Sequence, residues 1–222
     1  MPPKRRQRRS ERAYLDATPP WETRVREDLP PTTGPYDERD APDDDVPRVD
    51  LGALRVPVAD GFEMRLDLNE AQQVLGVTLA GPEGTMQLGV FAAPRNEGLW
   101  DEVRAEMAES LRTQRGVPKE RHDGPFGVEL HAMVAGDGGA KVPVRFVGID
   151  GPRWFLRATF VGNIASEPSK AARFERTLRN VVVVRGNEPL PVRDQVPLQL
   201  PKQLTAEGDE AAGEAPGEHG EG

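Results

Sequence analysis

The sequence predicts an α+β fold: an antiparallel β-sheet of about six to seven strands covered by two helices, an α-β-α sandwich. Residues 143–162 have the pattern of two strands joined by a turn at Asp150-Gly151. Both faces of this hairpin are apolar, whereas a sheet with one face in water alternates apolar and polar residues. The remaining strands are predicted on either side of a first helical stretch. A second helical stretch follows them, and the two helices are expected to cover the faces of the sheet.

The turn of this hairpin is predicted as a four-residue loop, 150–153, with Ile149 opposite Trp154, because Pro152 has no amide hydrogen to close a tighter turn. Alternation then places two sets of side chains on opposite faces. One face carries Val147, Ile149, Trp154, Leu156, Ala158 and Phe160. The other carries Val144, Phe146, Phe155, Thr159 and Val161, with Arg157 among them.

Arg157 is a charged residue within an apolar row. If its guanidinium is buried, it needs an acidic partner from a covering helix, such as Glu97, Glu102 or Glu175. If its side chain reaches the margin of the sheet, it needs none. The pattern does not separate these alternatives, and neither implies catalysis.

Three or four strands are predicted before the first helix, at 54–58, 64–68, 74–79 and 85–93. Pro57 indicates an edge strand for the first of them. After the helix, residues 119–127 form a polar connection, and alternation at 128–134 predicts a strand on which His131 points outward. The β-branched residues 181–184 predict a short terminal strand.

The first helix is predicted over 99–115, with Trp100, Val103, Met107 and Leu111 forming its buried stripe and Asn96 or Gly98 as its cap. Trp100 is interpreted as the core anchor of that stripe. The second helix is predicted over 167–179, capped by Ser166, with a stripe of Ala171, Phe174 and Leu178.

Three regions are predicted along the 222 residues: a disordered charged arm (1–50), a single α+β domain (51–190) and a Pro-rich, then acidic, disordered tail (191–222). The charged residues that give the net charge of -8 are unevenly distributed along the chain. Residues 1–12 carry six basic groups and one acid, while 203–222 carry six acids and no base. The basic start allows weak, salt-sensitive contact with nucleic acid through residues 1–12, and no other nucleic-acid site is expected.

Cysteine is absent, so thiol catalysis, disulfides and cysteine-bound zinc are excluded. No apolar run approaches the length of about 18 residues that a membrane helix needs, and a cytoplasmic protein is expected. No catalytic, cofactor-binding or metal-binding residues are predicted. The loop 136–141 lacks the Gly-Lys-Ser/Thr pattern of a phosphate loop, and the pair of His131 and Glu129 is too small for a metal site.

Four segments carry a family resemblance: QLGVFAAPRNEGLWDEVRAEM (87–107), GPFGVEL (124–130), FVGIDGPRWFLR (146–157) and VVVVRGNEPLP (181–191). They resemble the actinobacterial domain of unknown function 3710. The resemblance implies a cytoplasmic bacterial protein with no established activity and transfers no catalytic residue. The element order is similar to the Mog1/PsbP-like arrangement; a START-like helix-grip fold is the main competitor, but the helix at 167–179 is short for it.

Two functional classes remain open from the sequence. The favoured one is a noncatalytic protein-interaction module with an unidentified protein partner. The alternative is a small-ligand-binding protein or an unrecognised enzyme with a pocket between sheet and helix. A cavity lined by convergent polar groups would favour the second class, whereas a filled core with an exposed apolar patch would favour the first.

Overall fold

The structure is a computed structural model and describes residues 33–95, 97–114, 116–136 and 139–201. Disorder was predicted for residues 1–50 and 191–222, and of these residues 1–32 and 202–222 lie outside this part. The strands are β1 (Tyr36–Asp37), β2 (Arg48–Asp50), β3 (Leu54–Pro57), β4 (Glu63–Leu68), β5 (Val74–Gly81), β6 (Gly84–Ala92), β7 (Lys119–Gly124), β8 (Gly127–Ala135), β9 (Lys141–Gly151), β10 (Trp154–Gly162) and β11 (Val182–Val183). The helices are α1 (Trp100–Thr113) and α2 (Pro168–Arg179), with 3-10 turns at Glu38–Asp40 and Asn163–Ala165.

The large sheet has seven strands in the order β4-β5-β6-β10-β9-β8-β7. Every neighbouring pair in it is antiparallel. The predicted α+β fold, with an antiparallel sheet of six to seven strands and two helices, is therefore confirmed. The segment expected to be a polar connection is instead β7, the edge strand, whose side chains are mostly exposed.

The central hairpin, β9–β10, has a tighter turn than predicted. Trp154 pairs with Gly151 and Leu156 pairs with Ile149, which leaves Pro152 and Arg153 as the turn. Arg153 has a φ of 66°. Proline followed by a residue with positive φ is the arrangement of a type II turn, in which proline needs no amide hydrogen. The predicted pairing of Ile149 with Trp154 is wrong by two residues, a shift that leaves the two faces unchanged.

A second, smaller sheet has the order β1-β11-β3-β2. In it β1 runs parallel to β11, with Asp37 opposite Val183. The prediction that Pro57 marks an edge strand is wrong, because β3 pairs with both β2 and β11. Pro57 is tolerated there because it is the last residue of β3. Residues 36–50, which the sequence assigns to the charged arm, contribute two of these strands.

The two faces of the large sheet have different cover. One face packs against α2 and the small sheet in a core that includes Leu54, Val56, Leu79, Leu88, Trp154, Leu156, Phe160, Phe174 and Leu178. The other packs against α1 through a smaller cluster of Leu99, Trp100, Ala108, Leu130 and Phe155. Burial on both faces explains why the central hairpin is apolar on both sides.

The C-terminal segment also belongs to the packed structure, beyond the boundary predicted at residue 190. Val196 donates its amide to the carbonyl of Val90 on β6, and Leu198 donates to Val74 on β5. Both side chains are buried in the main core. The segment therefore bridges two strands of the large sheet, and it reaches the small sheet through a bond from Gln199 to Leu51.

A residue from the hairpin, rather than Asn96 or Gly98, caps α1. The Asp150 carboxylate accepts from the amides of Leu99 at 2.7 Å and Trp100 at 3.3 Å. A Cβ at Gly98 would lie 2.6 Å from Asp150 Oδ2, so glycine permits this approach.

We expect Asp150→Ala to lower the free energy of unfolding by about 1 kcal/mol, because two amides at the start of the helix lose their acceptor. Asp150→Asn should retain most of the stability, since its carboxamide oxygen can still accept. Urea unfolding of both variants checks the prediction. Equal stability of wild type and Asp150→Ala would contradict it.

Candidate functional site

Four arginines lie around the turn of the central hairpin. Arg153 is in the turn itself, and Arg95 lies three residues beyond the end of β6. Arg39 lies in the 3-10 turn after β1, and Arg185 follows β11. We call these four side chains the arginine site.

The parallel pairing of β1 and β11 explains why two members of the arginine site are neighbours. Asp37 and Val183 end their strands opposite each other. Arg39 and Arg185 each follow two residues later. Because parallel strands end at the same edge of a sheet, both arginines emerge at the same end of the small sheet.

Three hydrogen bonds attach the hairpin turn to these strand ends. Trp154 Nε1 donates to Asp37 Oδ2 at 2.8 Å, which fixes β1 against β10. The Arg153 carbonyl accepts from the Ala93 amide at 3.0 Å and from Arg185 Nε at 3.2 Å. Segments far apart in sequence are thereby held at one location.

Two surface pockets share Arg39, Pro152 and Arg153 in their linings. The first, of about 180 Å³, is lined by Asp37, Glu38, Arg39, Pro152, Arg153, Arg185, Gly186 and Asn187. The second, of about 240 Å³, is lined by Arg39, Arg95, Pro152 and Arg153.

The arginine site has no direct ion pairs with the acidic side chains that the structure describes. Within the described part of the chain, none of its four side chains forms an ion pair with a carboxylate. Ion pairs with carboxylates do engage Arg48, Arg55, Arg65, Arg104, Arg112, Arg121, Arg145 and Arg193. Burial, and then the like charge of Arg153, lower the pKa of Arg185 below its usual value, and the charge of Glu188 acts in the opposite direction. The four arginines therefore line adjoining pockets without a direct ion pair to a carboxylate of the described residues.

The two carboxylates in the lining already have other partners. Asp37 accepts from Trp154 and from the Arg39 amide. Glu38 accepts from Arg55 at 2.8 Å. Chemically, the arrangement can bind an anion through guanidinium N–H groups.

A second group of charges is buried between the large sheet and α2. Arg145 Nη1 lies 2.7 Å from Glu175 Oε1 and 3.8 Å from Glu129 Oε2, while His131 Nε2 lies 3.1 Å from Glu129 Oε2. His131 was predicted to point outward, but it is paired with Arg145 across the strands on the face covered by α2. No role was predicted for Arg145 from the sequence.

This buried group has the character of a structural ion pair network. The side chains of Glu129 and Arg145 are only 3% and 6% exposed, which leaves a substrate no access. The Arg145 guanidinium also lies over the Phe160 ring at 4.1 Å. Among the described residues no three His, Cys, Asp or Glu side chains are grouped so that they could hold a metal ion.

Arg157 has a different partner from those predicted. Its guanidinium lies 4.9 Å from the Phe91 ring centroid, and in the described residues no carboxylate pairs with it. Burial lowers its pKa below the usual value. Glu175, one of its proposed partners, pairs with Arg145 instead.

Trp100 is a core residue, as predicted. It is 5% exposed, and its Nε1 donates to the carbonyl of Val128 at 2.6 Å.

The described ends of the 136–141 loop form a turn that leads into β9, with the Gly136 amide donating to the Ala140 carbonyl. Residues 137 and 138 lie outside the described residues.

No helix in the described part of the chain is long and apolar enough to cross a membrane.

The fold and the site thus define a two-sheet α+β protein with a cluster of four arginines that form no ion pair among the described residues. A family model described as "Protein of unknown function (DUF3710)" matches residues 34–207. The chain belongs to this family, which the resemblance of four segments had indicated. The matched range includes β1 and all four arginines of the site. A search of curated proteins found no match.

Two solved structures are similar at low identity. A crystal structure of a protein from Bacteroides thetaiotaomicron VPI-5482 has a TM-score of 0.39 and 11% identity over 63% of this chain, which spans about half (48%) of that protein. The solution structure of cyanobacterial PsbP (CyanoP) from Synechocystis sp. PCC 6803 has a TM-score of 0.37 and 10% identity, covering 59% of this chain and 86% of that one. Similarity at this level carries no argument about function.

Proposed function

We propose that this protein is a noncatalytic protein-interaction module that holds an anionic segment of a protein partner at the arginine site. The observation that carries the proposal is the convergence on two adjoining pockets of four arginines that have no ion pair among the described residues. Arginine is enriched among the residues that dominate protein–protein binding energies. Unpaired guanidinium groups at a surface retain their donors for a partner.

The site is better suited to a partner segment than to catalysis. Arg39 and Arg95 are exposed at the surface. The two linings combine the arginines with Asn187, Gly186, Pro152 and two carboxylates that have other partners. This set offers charge and hydrogen-bond donors, whereas general acid-base or nucleophilic chemistry needs a nucleophile beside a free base.

The alternative is a small-ligand binder, and one cleft supports it. Val49 of the small sheet, residues 57–64 and Leu79 of the large sheet line a volume of about 380 Å³. This volume is within the range of ligand pockets. Its only charged side chains are Asp60 and Glu63, so fewer charged groups converge there than at the arginine site.

The cytoplasmic location and the actinobacterial origin remain proposals from the sequence and the family resemblance. The weak contact of residues 1–12 with nucleic acid also remains a proposal, because that segment lies outside the described residues.

The test of the protein-interaction proposal is site-directed photo-crosslinking of the full chain in lysate of its native cell. A photoreactive residue replaces Asn187, which lines the first pocket, and a control chain carries it at Arg112 on α1. Each chain is compared with its double variant Arg39→Ala/Arg95→Ala. We expect an adduct at Asn187 that falls at least about tenfold in the variant, since removing interface arginines commonly costs more than 1 kcal/mol each.

The charge-matched control is Arg65→Ala/Arg112→Ala, which removes two exposed arginines that are paired with Glu63 and Glu109. It should leave the adduct unchanged. Adducts that form equally from Asn187 and from position 112, or that survive loss of Arg39 and Arg95, would refute the proposal.

A further inference from the structure

We infer that the arginine site recognises a phosphorylated side chain of the partner. The inference rests on the proposed function, because it names the group that a protein partner would present. It is carried by the charge of the site, by the donors that its arginines leave open and by the size of its pockets.

The charge of the lining matches a phosphate monoester. Four arginines face two carboxylates, Asp37 and Glu38, which leaves a formal excess of two positive charges. A phosphorylated serine, threonine or tyrosine carries a charge of about -1.5 to -2 at neutral pH. A single aspartate or glutamate carries only about half of that charge, so it would leave the site with cationic excess.

The open donors of the site also match a phosphoryl group. Arg185 is fixed by bonds from Nε to the Arg153 carbonyl and from Nη1 to the Glu188 carbonyl, which leaves its Nη2 without a hydrogen bond in the described residues. Arg39, Arg95 and Arg153 make no side-chain hydrogen bond within the described part of the chain. A phosphoryl group offers three acceptor oxygens, and guanidinium forks bind it with paired N–H groups.

The pockets are sized for one group of a ligand. Each pocket by itself, at about 180 or 240 Å³, is below the range of about 300–1,000 Å³ that is usual for pockets enclosing a whole small ligand. A phosphorylated side chain needs only its terminal group to enter, while the rest of the partner lies outside. The size of each pocket therefore favours the terminal group of a phosphorylated residue over a whole bound nucleotide.

The test is an NMR titration of the full ¹⁵N-labelled chain with three short peptides that differ only at the central residue: phosphoserine, aspartate or serine. Nucleoside monophosphate, inorganic phosphate and a single-stranded DNA oligomer are parallel probes. Probe concentrations extend to about 10 mM, above the dissociation constant of a millimolar contact. We expect the phosphoserine peptide to bind at least about tenfold more tightly than each of the other probes.

The variants decide whether this binding belongs to the arginine site. Arg39→Ala/Arg95→Ala should weaken binding of the phosphoserine peptide at least about tenfold, whereas Arg65→Ala/Arg112→Ala should leave it unchanged. Both arginines of the first pair are exposed, so their loss leaves the core intact, which unfolding curves of the variants verify. Equal binding of the phosphoserine and aspartate peptides, tighter binding of nucleotide, free phosphate or DNA, or no shift at the highest concentration would overturn the inference.

Failure of this inference is distinguishable from failure of the proposed function. Phosphatase treatment of the lysate should abolish the adduct formed from Asn187. An adduct that survives phosphatase but still requires Arg39 and Arg95 would overturn phosphoryl recognition and leave the protein-interaction proposal standing.

Discussion

Replacing Trp154 with alanine is expected to lower the free energy of unfolding by about 3–5 kcal/mol, the usual range for truncating a buried tryptophan. The side chain is 2% exposed and lies in the main core. Its indole also donates to Asp37 Oδ2 at 2.8 Å, so the substitution removes a bond between the large sheet and β1. Urea unfolding followed by circular dichroism measures the effect.

Two further variants separate packing from hydrogen bonding at Trp154. Trp154→Phe keeps an aromatic ring but has no donor for Asp37. It should lower the free energy of unfolding by about 1–2 kcal/mol, less than Trp154→Ala. Asp37→Asn keeps an acceptor oxygen for the indole and should cost less again. If Trp154→Ala is no more destabilising than Trp154→Phe, the burial assigned to this side chain is wrong.

Replacing Arg145 with alanine is expected to destabilise the protein by about 3–5 kcal/mol, because it leaves buried carboxylates without their cation. Glu175 would lose the partner that lies 2.7 Å away, and Glu129 would keep only His131. The substitution also removes the guanidinium from the Phe160 ring. Thermal and urea unfolding at neutral pH check the prediction.

The control for Arg145 is a variant in which the arginine and both carboxylates are apolar: Arg145→Met, Glu129→Leu and Glu175→Met. This triple variant should be more stable than Arg145→Ala, since it removes the two carboxylates that the loss of Arg145 would leave without their cation. Arg112→Ala, which breaks the exposed pair with Glu109, should have a far smaller effect. An effect of Arg145→Ala no larger than that of Arg112→Ala would contradict the role given to this network.

Much of the large sheet could be predicted because its signals are local. Alternation over 143–162 identified both faces of the central hairpin, and the spacing of Trp100, Val103, Met107 and Leu111 identified α1. The hairpin loop was predicted two residues too long, and the pairing was shifted by two residues, because proline was treated only as a missing donor. At the second position of a type II turn it needs none.

Two strands of the small sheet, β3 and β11, were predicted, but β1, β2 and the pairing of the four strands were not. β1 and β11 have two residues each. β1 lies in a stretch whose acidic composition is typical of a disordered segment. Its place in the fold depends on pairing with β11, about 145 residues away.

The arginine site was missed for the same reason. Arg39, Arg95, Arg153 and Arg185 are each unremarkable in the sequence, and only the parallel pairing of β1 with β11 and the hairpin turn bring them together. The one available signal was that three of them lie within segments of the family resemblance: APRNEG, DGPRW and VVRGN. Arg157 was singled out from the sequence because it interrupts an apolar row. In the structure its guanidinium packs on the Phe91 ring.

The central claim is that these four arginines form one binding surface for an anionic group of a partner. It is tested most directly by mapping, residue by residue, the amide shifts that the phosphoserine peptide causes in the full chain. We expect the shifts to cluster at 37–39, at Ala93 and Arg95, at 153–154 and at 183–187, and to vanish in Arg39→Ala/Arg95→Ala. Shifts centred on residues 1–12, or on the cleft around residues 57–64, would contradict the claim.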